Sequence, residues 1–170
     1  FIVYHQITEL YFKLALNEIE QIAHNGKNIS NEGQDLGWKN RLELDFFIAR
    51  VKRINNYFEA LSKSFGIMVH GMEKEQFLKF RMSLLPASGF QSAQYRMIEI
   101  CTTDINNLTQ KDIRESLKGK PISEQAQHFY WMEGSIEVET GKKTQMLENF
   151  VKKYMQKFIQ TAEAYKSKNL

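Results

Sequence analysis

From Trp38 to about Phe65, apolar side chains return at every third or fourth position: Leu42, Phe46, Ile48, Val51, Ile54, Phe58 and Leu61. That period lines one face of a long α-helix and is incompatible with a strand, where burial alternates at every second residue. The same spacing marks Phe1 to about His24, through Phe1, Ile2, Leu10, Leu14, Ile19 and Ile22, and Ser92 to about Asn106, through Ala93, Met97, Ile98 and Ile105. It returns from Lys142 to about Tyr165, where Met146, Phe150, Tyr154, Phe158, Ile159 and Ala162 form the stripe. Only 2 prolines and 9 glycines interrupt 170 residues, too few for the turns of a barrel or sandwich. The expectation is an all-α chain, a bundle of long helices that run antiparallel where loops are short. With 42% apolar residues it can bury a core, and residues 1–170 are read as a single helical domain.

The pattern also assigns polar residues. Glu18, Glu20 and Gln21 are expected to face outward on the first helix, and Arg50, Lys52 and Arg53 to lie largely opposite the apolar stripe of the second. Residues 25–37 read as a polar loop. Residues 66–71 read as a break before a helix opening near Glu73, whose first turn is acidic. A short helix is predicted at Gln110–Leu117 and another over residues 122–134, whose Phe129-Tyr130-Trp131 run reads as packing.

Charge excludes some functions. The 23 basic and 20 acidic residues are interspersed and leave a net charge of +3, so no dense cationic field for nucleic acid emerges. No apolar run approaches the ~20 residues that cross a bilayer, which predicts no membrane partner. Cys101 stands alone and offers neither a disulfide nor a zinc pair. Nucleophile-elbow, dinucleotide and Walker motifs are absent.

Candidate chemistry gathers around Leu84–Arg96, LLPASGFQSAQYR. Pro86 and Gly89 make a sharp corner between helices, close to Arg81 and to the unpaired N–H groups of a new helix start, a setting that suits anions. Arg81 either clamps a carboxylate bidentately or forms a surface ion pair. Phe77, one turn earlier, is either an apolar wall or core. His5, on a flank with Glu9 and Phe12, either accepts a hydrogen bond from a ligand or is a satisfied core histidine. The His5–Glu9 spacing would suit two metal ligands, too few for a defined site.

Two stretches, FIVYHQITELYFK (Phe1–Lys13) and FLKFRMSLLPASGFQSAQYRMIE (Phe77–Glu99), resemble the tryptophan 2,3-dioxygenase family through the patterns HQ-x-x-EL-x-FK and FR-x-x-L-x-PASGFQS-x-QYR. The resemblance implies an all-helical, haem b-dependent enzyme that adds O₂ across the indole C2–C3 bond of L-tryptophan to give N-formylkynurenine. It implies a cytoplasmic homotetramer. It casts His5 as the catalytic and substrate-binding imidazole that accepts the indole N–H. Phe1 and Phe77 then flank the ring, Arg81 holds the substrate carboxylate, and Leu84, Ser88 and Gly89 line the haem pocket. The family's axial histidine and the Gly/Ser-rich loop after it are not recognisable in this chain, so no metal ligand is assigned. The opening Phe1-Ile2-Val3-Tyr4 reads as the interior of a longer protein. Either this is part of such an enzyme, or it is a haem-free helical binding or assembly module related to the family.

Overall fold

The helical period is realised along most of the chain in the computed structural model, which describes residues 2–75, 78, 91–135 and 142–166. The described residues are predominantly α-helical, as the periodicity predicts, with one small two-stranded ribbon. The chain divides into two compact units, Phe1–Gly71 and Met72–Leu170.

In the first unit, helix α1 (Ile2–Gly26) packs on helix α2 (Leu44–His70). Their pairing is antiparallel: Tyr11 and Phe12 meet Tyr57 and Phe58, whereas Glu18, further along α1, meets Arg50, earlier in α2. Between them, residues expected to form a plain polar loop pair instead as strands β1 (Lys27–Ile29) and β2 (Asp35–Trp38). Gly33 supplies the positive φ, 82°, in the turn between them, and Gly37 has a φ of 96° inside β2, where the register of the pair is irregular. Trp38, predicted to open the second helix, belongs to the ribbon and lies over Gly26. A side chain at Gly26 would come within 2.9 Å of Leu42 and 3.2 Å of Trp38, so only glycine fits without displacement. Helix α2 then continues through Gly66, where a break was expected, and closes at Gly71, whose N–H donates to Ile67 O at 3.2 Å. One glycine inside a helix costs only about 1 kcal/mol, too little to end a helix of this length.

The buried row of α1 also differs from the expected one. Ala15, Ile19, Ile22 and Glu18 are buried, whereas Val3, Ile7, Leu10 and Leu14 form an exposed row. The first turns of α1 therefore carry two apolar rows, and periodicity cannot say which one α2 covers. Glu18, expected outward, is 1% exposed. Arg50 Nη1 donates to Glu18 Oε2 at 2.9 Å, Arg53 Nε lies 3.1 Å from Oε1, and the Tyr57 hydroxyl donates to Oε1 at 3.4 Å. Arg50 and Arg53, placed by the pattern opposite the stripe, thus turn toward α1, because a buried carboxylate needs cationic donors.

The second unit is built on helices α3 (Ala93–Thr102) and α6 (Gln145–Tyr165), with short helices α4 (Arg114–Leu117) and α5 (Ile122–Gln125) and 3₁₀ turns between them. Helix α3 ends at Thr102, earlier than predicted. Asp104 then accepts from Asn106 N at 2.8 Å and caps a separate 3₁₀ turn, Ile105–Leu108. Caps fix the main starts: Ser92 Oγ accepts from Tyr95 N at 3.1 Å, and Thr144 Oγ1 from Leu147 N at 3.3 Å. The buried face of α6 is Leu147, Phe150, Met155, Phe158 and Ala162. Met146, expected on the stripe, is 40% exposed.

The helix predicted over residues 122–134 is instead a single α turn followed by 3₁₀ turns Ala126–His128 and Tyr130–Ser135. The reason lies in the core, where Phe129 and Trp131 are both buried and stack at 5.5 Å. Residues two apart fall on nearly opposite sides of an α-helix, so both rings reach one core only if the backbone breaks. It does so at Phe129, whose extended backbone bridges Thr109. Trp131 then meets Phe150 and Phe158 edge-on, at 5.6 and 6.3 Å. Rings this size each contribute roughly 1.5–3 kcal/mol on burial, which outweighs the few helical hydrogen bonds given up.

Candidate functional site

Of the predicted site residues, His5 lies within the described part; Phe1, Phe77, Arg81, Leu84, Ser88 and Gly89 lie outside it. His5 stands near the start of α1 with its side chain exposed, so it is not a core histidine. At 100° per residue, Glu9 and Phe12 fall within about 40° of it around the helix. Phe12 packs its ring on Phe58 at 6.1 Å and anchors this flank. The exposed aliphatic row of Val3, Ile7, Leu10 and Leu14 lies on the far side of the helix.

Sequence reasoning missed a second cluster, in the other unit. Arg96 closes the QYR end of the second motif and is 6% exposed. Its Nη1 donates to Glu99 Oε2 at 2.5 Å and to the Tyr130 hydroxyl at 2.8 Å, and that hydroxyl donates to Glu99 Oε1 at 2.6 Å. The guanidinium also lies 5.6 Å from the Trp131 ring centroid and 5.1 Å from that of Tyr95. Burial, and then the bond to the Glu99 carboxylate, push the Tyr130 hydroxyl above the ordinary tyrosine range, partly offset by the nearby Arg96 charge. The phenol therefore stays protonated and serves as a donor. The i,i+3 spacing of Arg96 and Glu99 was visible, but a partner 31 residues beyond Glu99 left no local signal.

Neither cluster is a set of metal ligands. Among the described residues there is no group of three or more His, Cys, Asp or Glu that could hold a metal ion. No helix of the described residues is long and apolar enough to cross a membrane.

The fold and these clusters define a helical protein with an exposed histidine flank and two internal arginine–carboxylate–tyrosine networks. The sequence profile of the family described as Tryptophan 2,3-dioxygenase matches residues 1–164, and the chain belongs to that family. It is 32% identical over 136 residues to "Tryptophan 2,3-dioxygenase" of Alteromonas mediterranea, an overlap covering 71% of this chain and 35% of the relative. The protein of the same name from a Ruegeria species is 37% identical over 99 residues, 58% of this chain and 30% of that one. The Xenopus laevis protein, also so named, is 36% identical over 99 residues, 58% and 22% of the two chains. The chain thus matches about a third or less of the length of these curated relatives. No solved structure matches.

Proposed function

We propose that the chain supplies the substrate side of a haem-dependent tryptophan 2,3-dioxygenase. The observation that carries this reading is the family match along nearly the whole chain, residues 1–164. In this reading residues 1–170 act as one substrate-side domain of a cytoplasmic homotetramer, and the substrates are L-tryptophan and O₂. Both oxygen atoms enter the product, N-formylkynurenine, as the indole C2–C3 bond breaks.

Haem b, when bound, supplies the iron chemistry that makes O₂ reactive toward the indole. The chain's own residues bind and orient. His5 offers an imidazole nitrogen as acceptor for the indole N–H, which fixes the ring's rotation without requiring proton transfer. Its exposed position on a flank anchored by the Phe12–Phe58 pair supports this role. Arg81 pairs with the substrate carboxylate through two parallel N–H donors, a geometry that lysine cannot match. Phe1 and Phe77 flank the ring and exclude water, and Leu84, Ser88 and Gly89 line the haem pocket.

The test is kinetic and spectroscopic. In the complete dioxygenase to which this chain would belong, Arg81→Leu should raise KM for tryptophan and lower kcat/KM about a hundredfold, the loss of roughly 3 kcal/mol from a charged, bidentate contact. Unchanged tryptophan kinetics would remove the Arg81 assignment. The haem-bound protein should show a Soret band; its absence after reconstitution would overturn the enzymatic reading.

A further inference from the structure

The register of α1 on α2 fixes what stands across from His5. Phe12 packs on Phe58 at 6.1 Å, Leu61 is buried, and Tyr4, Thr8 and Ser64 are half-buried, so the seam between the helices continues past that ring pair toward the start of α1. A step of seven residues makes about two helical turns and roughly 10 Å of rise, and returns a side chain to within about 20° of the same face. Seven residues back from Phe12 is His5, and seven residues on from Phe58 is Phe65. Because the helices are antiparallel, both steps run in the same direction. His5 and Phe65 therefore stand at one level on either side of the seam, as Phe12 and Phe58 do.

The two levels differ in exposure. Phe12 and Phe58 are half-buried, whereas His5 is exposed and Phe65 is 53% exposed. Ser62, one turn before Phe65 on the same row, is too short to fill the space between the levels, and Glu9 holds the corresponding place on α1. This flank is thus a slot with an aromatic pair at its base, an imidazole on one wall and a phenyl ring on the other. The phenyl ring still has much of its apolar surface to bury, and a flat aromatic guest would use both its area and its ring electrostatics. The Glu9 carboxylate repels an anion near the base, so a guest that carries a carboxylate enters ring first and keeps its charged end outward.

We infer that Phe65 is a further substrate contact, an aromatic wall supplied by α2 against which the indole lies while His5 accepts its N–H. The inference rests on the proposed role of His5, and it adds a residue from a helix to which that reading assigns nothing. A ring-on-ring contact holds the indole about equally before and during reaction, because the bond that breaks is not the part it touches by charge or hydrogen bond. Its loss therefore falls on binding, in Kd and KM, more than on kcat.

The test is anaerobic calorimetric titration of the complete dioxygenase with L-tryptophan, which reads binding without turnover. Phe65→Leu should weaken tryptophan binding about five- to tenfold and raise KM to match, with a smaller effect on kcat, and Phe65→Tyr should restore the affinity. A ring that is 53% exposed contributes little to the core, so both variants should keep the parent's helical circular dichroism. His5→Ala, measured alongside, separates the two claims. Weaker tryptophan binding in His5→Ala with unchanged binding in Phe65→Leu would overturn the Phe65 contact and leave the role of His5 standing. Unchanged binding in both would remove the His5 assignment and the Phe65 contact with it. A loss in Phe65→Leu that Phe65→Tyr does not recover would also overturn the contact, since the aromatic face would not be what binds.

Discussion

Glu18 shows how far one residue can depart from its sequence pattern. It sits beside apolar positions of α1 yet is 1% exposed, its oxygens shared among Arg50, Arg53 and Tyr57. A carboxylate taken out of water is tolerable only with such partners, and removing one side of a buried pair costs more than the pair contributes. Glu18→Ala should therefore destabilise the first unit by about 3 kcal/mol, most of it from the stranded Arg50. Denaturant unfolding of the single and double variants with Arg50→Ala should give a coupling of about 1.5 kcal/mol or more, whereas strictly additive losses would show that the pair is not a unit. Nothing local in the sequence announces this pair, since Arg50 follows Glu18 by 32 positions. His5 and Arg81 were singled out for the opposite reason: they belong to long continuous motifs, although Arg81 lies outside the described residues. The Arg96 network fell between these cases, its anchor inside a motif and its phenol outside.

At the scale of elements, the 3.6-residue period recovered every long described helix and missed most of their ends. Those ends are set by single side chains. Thr144, 7% exposed, starts α6 by accepting from Leu147 N, so the helix opens three residues later than its lysine-rich approach suggested. Thr144→Ala should cost about 1 kcal/mol, read as a lower midpoint of thermal unfolding, while Thr144→Ser should restore most of it. An equal loss in both would shift the cause from the cap to packing of the threonine methyl. The segment over residues 122–134 was misread for a deeper reason: its local propensity is helical, but two rings spaced by two had to enter one core. The ribbon between α1 and α2 was missed because each strand has only three or four residues, with no alternation to count.

At the scale of the whole chain, composition and periodicity carried the fold class, and long motifs carried the family. The placement of the two tryptophans has a practical result. Trp38 lies half-buried in the ribbon of the first unit, with the Lys27 ammonium 5.6 Å from its ring, and Trp131 is 7% exposed in the core of the second. Each unit thus carries its own built-in optical reporter. Trp38→Phe should leave a protein that fluoresces at shorter wavelength than Trp131→Phe, because the remaining indole is sealed from water; emission in the reverse order would contradict the burial of Trp131. With one lamp in each half, unfolding of either can be watched without attaching a dye.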